Sequence, residues 1–220
     1  MYLVLKRILD IVLATIALVV LSPILIPIVI GLKLTGEGYI FYLQKRMGYK
    51  NVYFNIYKFA TMLKNSPNMG TGTITLRNDP RVTPMGKFLR KTKINELPQI
   101  LNVLKGDMSI VGPRPVDIKA FEAYSPDIQA RVYDSKPGIT GIGSIMFRDE
   151  ESLISASTLP PHEYYKQYIA PYKGNLEMWY QTHKSLWTDI KLMFLTFWVI
   201  IFPESNIIKR TFPDLPERHF

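Results

Sequence analysis

Apolar residues are unevenly spread along this chain. From Ile11 to Leu32 no residue carries a charge, and as a helix that run would reach roughly 33 Å at about 1.5 Å per residue, enough to cross a bilayer. Pro23 and Pro27 lie inside it. Each removes a backbone donor and crowds the carbonyl four residues back, so the pattern predicts a break at Ser22-Pro23, with the Ser22 hydroxyl as a local partner for a freed carbonyl. A kinked span and a re-entrant hairpin both satisfy this pattern. Lys6 and Arg7 precede the run, and Lys33, Lys45, Arg46 and Lys50 follow it. The positive-inside tendency then puts the following domain in the cytoplasm under either topology. A cleaved leader is disfavoured, because the run is long and no small-x-small signal follows it.

Beyond the run, the pattern changes period. Residues 39–59 alternate aromatic and β-branched positions around Met47-Gly48-Tyr49-Lys50-Asn51, which predicts a β-hairpin. Residues 65–74 collect Asn, Ser, Pro, Gly and Thr and read as a surface loop, followed by a turn at Asn78-Asp79-Pro80-Arg81. Leu97, Ile100, Leu101 and Leu104 recur at helical spacing, with Asn95 as the expected N-cap, Pro98 at the third helical position and Gly106 as the stop. Lys136 to Gly143 is glycine-rich. Leu192 to Phe202 is apolar and aromatic but spans only about half a bilayer, so it is expected to lie in the interface with Trp187 and Trp198 near the headgroups.

Composition narrows the partners. The 220 residues suffice for one domain with appendages. A net charge of +9 beside 47% hydrophobic residues points to anionic partners at a membrane. The chain has no cysteine, and its three histidines, His162, His183 and His219, give no support for a zinc site. No nucleic-acid motif is visible, so nucleic acid is not expected as a partner.

The chemistry concentrates between Arg77 and Arg114. Arg77, Arg81, Lys87, Arg90, Lys91, Lys93, Lys105 and Arg114 face only Asp79, Glu96 and Asp107 there. A cationic field around a helix start suits phosphate, and the Glu96 carboxylate suits a hard divalent ion such as Mg²⁺. An ordinary capped helix on a charged face explains the same pattern, and the residues alone leave both open.

A series of motifs goes further. Lys6-Arg7-Ile8-Leu9-Asp10-Ile11, Ser22-Pro23, Ile56-Tyr57-Lys58-Phe59, Asn78-Asp79-Pro80-Arg81-Val82-Thr83 and Gly86-Lys87-Phe88-Leu89-Arg90-Lys91-Thr92 come first. They are followed by Glu96-Leu97-Pro98-Gln99, Leu101 to Ser109, Val111-Gly112-Pro113-Arg114-Pro115 and Pro137 to Gly141. In this order they resemble the bacterial sugar transferases, the monotopic polyprenol-phosphate phosphoglycosyl transferases, up to about residue 200. The resemblance implies a re-entrant membrane helix kinked at Ser22-Pro23 (residues 1–34), a catalytic domain of α/β or irregular α+β class (35–184) and an interfacial helix with a C-terminal tail (185–220). It implies a bacterial plasma-membrane enzyme facing the cytoplasm. Such an enzyme moves a phosphosugar from a UDP-sugar to polyprenol phosphate and releases UMP as the first membrane step of glycan assembly. Glu96 is expected to bind Mg²⁺, Arg90 to face the diphosphate and Arg114 to contact the nucleotide or its phosphates. Arg81 and Lys58 read equally as substrate contacts or structural ion-pair partners. Membrane lipid is an expected partner, and a homodimer is left open.

The chain departs from the family pattern at its nucleophile. The family's Asp-Glu pair stands here as Asn95-Glu96, and an amide is a far weaker nucleophile than a carboxylate. Three explanations stand: a substitution that traps substrate, a branch using another route through Glu96 or direct lipid attack, or a non-catalytic binder of nucleotide-sugar or lipid phosphate. Ala60 and the segment Ile142 to Glu151 also depart from the usual residues, which leaves the sugar open.

Overall fold

The computed structural model describes residues 1–35, 37–69 and 79–220, so the expected loop over 70–74 and the turn residue Asn78 lie outside the described residues. The fold is mixed α/β and mostly helical. Helix α1 (Tyr2–Leu34) runs without interruption through Pro23 and Pro27, so the expected break in helical structure at Ser22-Pro23 does not occur. The local chemistry explains why. Pro23 cannot donate to the Val19 carbonyl, and the Ser22 hydroxyl donates to it instead at 2.7 Å.

One stripe of α1, from Lys6 and Asp10 through Ala14 to Ile28 and Leu32, is buried. Its other faces expose Val12, Ile16, Val19, Val20, Ile24 and Ile30. By length and composition α1 is the one described helix able to cross a membrane. Its base is stitched to the domain by the charges that the sequence presents as membrane flank. Lys6 forms a buried ion pair with Asp189 at 2.7 Å, and the Tyr2 and Tyr180 hydroxyls donate to the same carboxylate. Asp10 accepts from the Ser109 hydroxyl and the Ile110 N–H. Arg7 donates to the Val103 and Leu104 carbonyls, capping a helix C-terminus with a cation.

The predicted hairpin is present as β1 (Phe41–Met47) and β2 (Tyr53–Phe59), antiparallel with Phe41 opposite Phe59 and Met47 opposite Tyr53. Helix α2 (Pro84–Lys91) follows, capped by the Thr83 side chain on the Gly86 N–H. The next helix, α3 (Gln99–Lys105), starts later than expected: Pro98 is its N-cap, and Asn95 sits in a preceding 3-10 turn, Ile94–Glu96. Pro98 has no N–H for the Ile94 carbonyl, and that carbonyl takes the Leu97 N–H three residues on, so the chain enters α3 in the tighter spiral. Gly106 ends α3 at φ 98, as its position predicts.

Strands β3 (Ser109–Val111) and β4 (Gly138–Thr140) pair in parallel, and between them run α4 (Ile118–Glu122) and α5 (Pro126–Arg131). The glycines of 136–143 allow close packing: a Cβ on Gly138 or Gly141 would enter the Gly112 backbone, and one on Gly143 would meet Glu177 Oε1. Then come α6 (Ile142–Met146), α7 (Glu150–Ala156), α8 (Pro161–Tyr164), a π-turn, α9 (Ala170–His183), α10 (Leu186–Ile201) and α11 (Ile207–Thr211). Helix α10 buries Leu192, Leu195 and Val199 in the main core and exposes Trp187, Phe194, Phe197 and Ile200 on its other side.

Candidate active site

The hairpin, the Ile94–Glu96 turn, the β3–α4 connection and helices α7 to α9 enclose one open cavity of about 1180 Å³. Lys58 on β2, Glu96 in the turn and Arg114 after β3 all line it. Lys58 Nζ stands 3.3 Å from Glu96 Oε1, and Arg114 reaches to 4.0 Å from Glu96 Oε2. Arg46, on the adjacent strand, lines the same wall and pairs with Asp117 at 3.0 Å.

These charges act on one another. Burial pushes the Glu96 carboxyl up, but the Lys58 and Arg114 cations, the Lys58 hydrogen bond and Lys93 outweigh it, and the net effect holds Glu96 below the usual glutamate range. Burial, with the neighbouring Arg46 and Arg114, lowers Lys58 against the attraction of Glu96. Arg114 is positioned through its backbone. Its carbonyl accepts from the Tyr133 hydroxyl at 2.8 Å, its N–H faces Glu177 Oε1 at 3.4 Å, and Pro113 and Pro115 fix φ on either side.

Two expected site residues stand elsewhere. Arg81 is buried and closed on Asp79, with Nε 2.9 Å from Oδ1 and Nη2 2.6 Å from Oδ2, and it also donates to the Ser66 and Met69 carbonyls. It fastens the 66–69 segment to the turn at Asp79 and does not line the cavity. Arg90, expected to face the diphosphate, donates through Nε to the Thr61 hydroxyl at 2.8 Å and also lies outside the lining. Its charged neighbours are Asp79 and Arg81.

Asn95 adjoins Glu96 in the chain without lining the cavity, and its Oδ1 is buried with no hydrogen-bond partner. Among the described residues no group of three or more His, Cys, Asp or Glu side chains is placed to hold a metal.

The model of the family described as bacterial sugar transferase matches residues 1–203. The chain belongs to that family. Among its relatives is a UDP-glucose:undecaprenyl-phosphate glucose-1-phosphate transferase of Escherichia coli, 40% identical over 87% of this chain and 39% of the relative. A UDP-N-acetylgalactosamine-undecaprenyl-phosphate N-acetylgalactosaminephosphotransferase of Aeromonas hydrophila is 34% identical over 91% of this chain and 44% of its own length. An exopolysaccharide production protein of Sinorhizobium fredii is 37% identical over 71% of this chain and 75% of its own length. The chain thus spans about two fifths of the first two relatives.

In this member of the family several residues in or behind the cavity wall carry no local signal. Arg46 reads as a flanking charge after the apolar run, and Lys173, which lines the cavity, and Tyr133 and Glu177, which face the Arg114 backbone, sit in segments without a motif. They become visible only when β1, α9 and the β3–α4 connection meet. Ile56, Gln99, Pro115, Gly138 and Ile139 also line the cavity and were within reach of the sequence, since each stands in one of the family-like motifs.

Proposed function

We propose that the chain carries the site of a transferase that moves a phosphosugar from a UDP-sugar to polyprenol phosphate with UMP released, and that Asn95, in place of the family's Asp, holds it at donor binding. The observation that carries this is the convergence of Lys58 and Arg114 on Glu96 inside a cavity of about 1180 Å³, in a member of the bacterial sugar transferases. A diphosphate entering there replaces loose pairings with charge-assisted hydrogen bonds to Lys58 and Arg114. Glu96 is the hard oxygen donor on the cavity wall, and together with donor phosphates its carboxylate fits what Mg²⁺ takes. When bound, that ion offsets the charge on the diphosphate.

The exposed apolar faces of α1 and α10 are proposed to enter the membrane. Both ends of α1 pack on the domain: Lys6 and Asp10 at one, Ile28 and Leu32 against Phe59 and Leu89 at the other. That supports a re-entrant helix with both ends on the cytoplasmic side.

In an Asn95→Asp chain, a carboxylate oxygen would form a bond to the sugar-linked phosphorus as the phosphoanhydride bond breaks and UMP leaves with its electron pair. The test is UMP release in lipid discs with Mg²⁺, polyprenol phosphate and a panel of UDP-sugars. The Asn95→Asp form is expected to release UMP about 10³-fold or more faster than the chain with Asn95, which binds donor without turning it over. Donor binding with no release from either form would favour the non-catalytic binder instead, and no donor binding at all would sink the transferase reading.

A further inference from the structure

The cavity has a second wall, built by α7, α8 and α9, that the phosphate chemistry leaves unused. Glu150, Ile154, His162, Tyr165, Lys166 and Lys173 line it. Lys173 is buried at 3% exposure, and its ammonium pairs with Glu150 Oε2 at 2.6 Å. Glu150 is half-buried, and its other oxygen accepts no hydrogen bond among the described residues. The Tyr165 hydroxyl beside them is buried and makes no hydrogen bond of ordinary length among the described residues, with the Tyr124 hydroxyl as its polar neighbour.

We infer that Glu150, Lys173 and Tyr165 form the subsite for the hydroxyl groups of the donor's sugar and select which sugar is accepted. The inference rests on the transferase reading above and adds to it the residues that read the transferred group.

Three features favour a sugar over the other parts of a UDP-sugar. On this wall Lys173 is already closed on Glu150 at 2.6 Å, whereas on the opposite wall Lys58 and Arg114 stand 3.3 and 4.0 Å from Glu96, so the diphosphate is drawn to that wall. The Tyr165 ring already carries Lys173 Nζ 5.7 Å from its centre, which leaves it less open to stacking a uracil. A fixed acceptor next to a fixed donor, with a phenol close by, instead matches neighbouring sugar hydroxyls, each of which both donates and accepts. Phe147 and Glu150 fall within the segment from Ile142 to Glu151, where the chain departs from the family's usual residues.

Asn95 makes an equilibrium test direct, because donor can be titrated without turnover. The full chain in lipid discs with Mg²⁺ is titrated calorimetrically with UDP, UDP-glucose, UDP-galactose and UDP-N-acetylgalactosamine, alongside Glu150→Gln and Tyr165→Phe. Tyr165→Phe removes one hydroxyl, whose polar neighbour is that of Tyr124, and retained UDP binding is the fold control for both variants. The expected result is UDP affinity unchanged within about twofold, while the preferred UDP-sugar weakens about tenfold to a hundredfold and the preference among sugars collapses. Equal weakening of UDP and UDP-sugars, or an unaltered sugar preference in both variants, overturns the inference alone. A parent chain that binds neither UDP nor any UDP-sugar overturns the transferase reading, and the inference with it.

Discussion

Two cation–carboxylate clusters in one basic stretch of this chain have opposite characters. Arg81 and Asp79 are both buried, meet through two contacts of 2.9 and 2.6 Å, and Arg81 spends further donors on the Ser66 and Met69 carbonyls. Lys58, Glu96 and Arg114 are partly exposed to a cavity and stand 3.3 and 4.0 Å apart. The first cluster holds structure, since each charge has exchanged its water for fixed partners. The second keeps charge available: its contacts are long enough to be traded for a ligand's oxygens at small cost. Geometry, and not residue type, separates the closed Arg81 from the cavity-lining Arg114.

The comparison breaks most sharply on donor binding. Lys58→Met and Arg114→Met are each expected to weaken UDP-sugar binding about 10- to 100-fold and to flatten its dependence on salt, because each removes a charge-assisted contact to phosphate. Arg90→Met, outside the cavity lining, is expected to change affinity less than threefold, roughly within the effect of a distant charge. Calorimetry at two ionic strengths measures all three. A loss at Arg90 equal to that at Arg114 would mean that the cationic field matters and the cavity geometry does not.

Stability reverses the ranking. Asp79→Ala strips a buried guanidinium of its counter-charge and is expected to lower the thermal midpoint by about 10 °C. Glu96→Gln relieves a loose, half-open pair and is expected to move it by about 2 °C or less. Differential scanning fluorimetry of the two variants side by side decides whether the clusters differ as described.

What could be read from the sequence follows the range of the interactions. The hairpin, the apolar run and the Gly106 stop depend on neighbours a few residues away, and each appears where the pattern puts it. Asn95 as N-cap fails for a local reason too: Pro98, three residues on, shifts the helix start to Gln99. The long-range roles were hidden. Lys6, Arg7 and Asp10 read as a charged flank, yet their partners Asp189, Val103, Leu104 and Ser109 lie far along the chain. The sequence ranks Arg114, between Pro113 and Pro115, above Arg81, and Arg90 above Lys58; the cavity lining follows the first order and reverses the second, because Arg90 turns to the Thr61 hydroxyl while Lys58 opens on the cavity.

Glu177 belongs to neither cluster and gives the most specific effect. It is fully buried on α9, one oxygen faces the Arg114 N–H and the other has no partner. Burial pushes its carboxyl from 4.5 up to about 7, and the Arg114 N–H and the Lys173 and Arg114 charges pull back only in part. The hydroxyl-bearing rings of Tyr124, Tyr133 and Tyr165 also face it. Because the folded pKa lies above the unfolded one, the folded state holds the proton more tightly. The resulting stability is fully present below about pH 4.5 and is lost as pH rises through about 7, by at most about 3 kcal/mol. Glu177→Gln cannot lose that proton. Its thermal midpoint relative to the unmodified chain is therefore expected to rise by about 5 °C between pH 5 and pH 8. A difference independent of pH would mean that Glu177 is already ionised at pH 5, its charge held by Lys173 and the Arg114 backbone, and the carboxylate beneath Arg114 would then be part of the charged site instead of its neutral support.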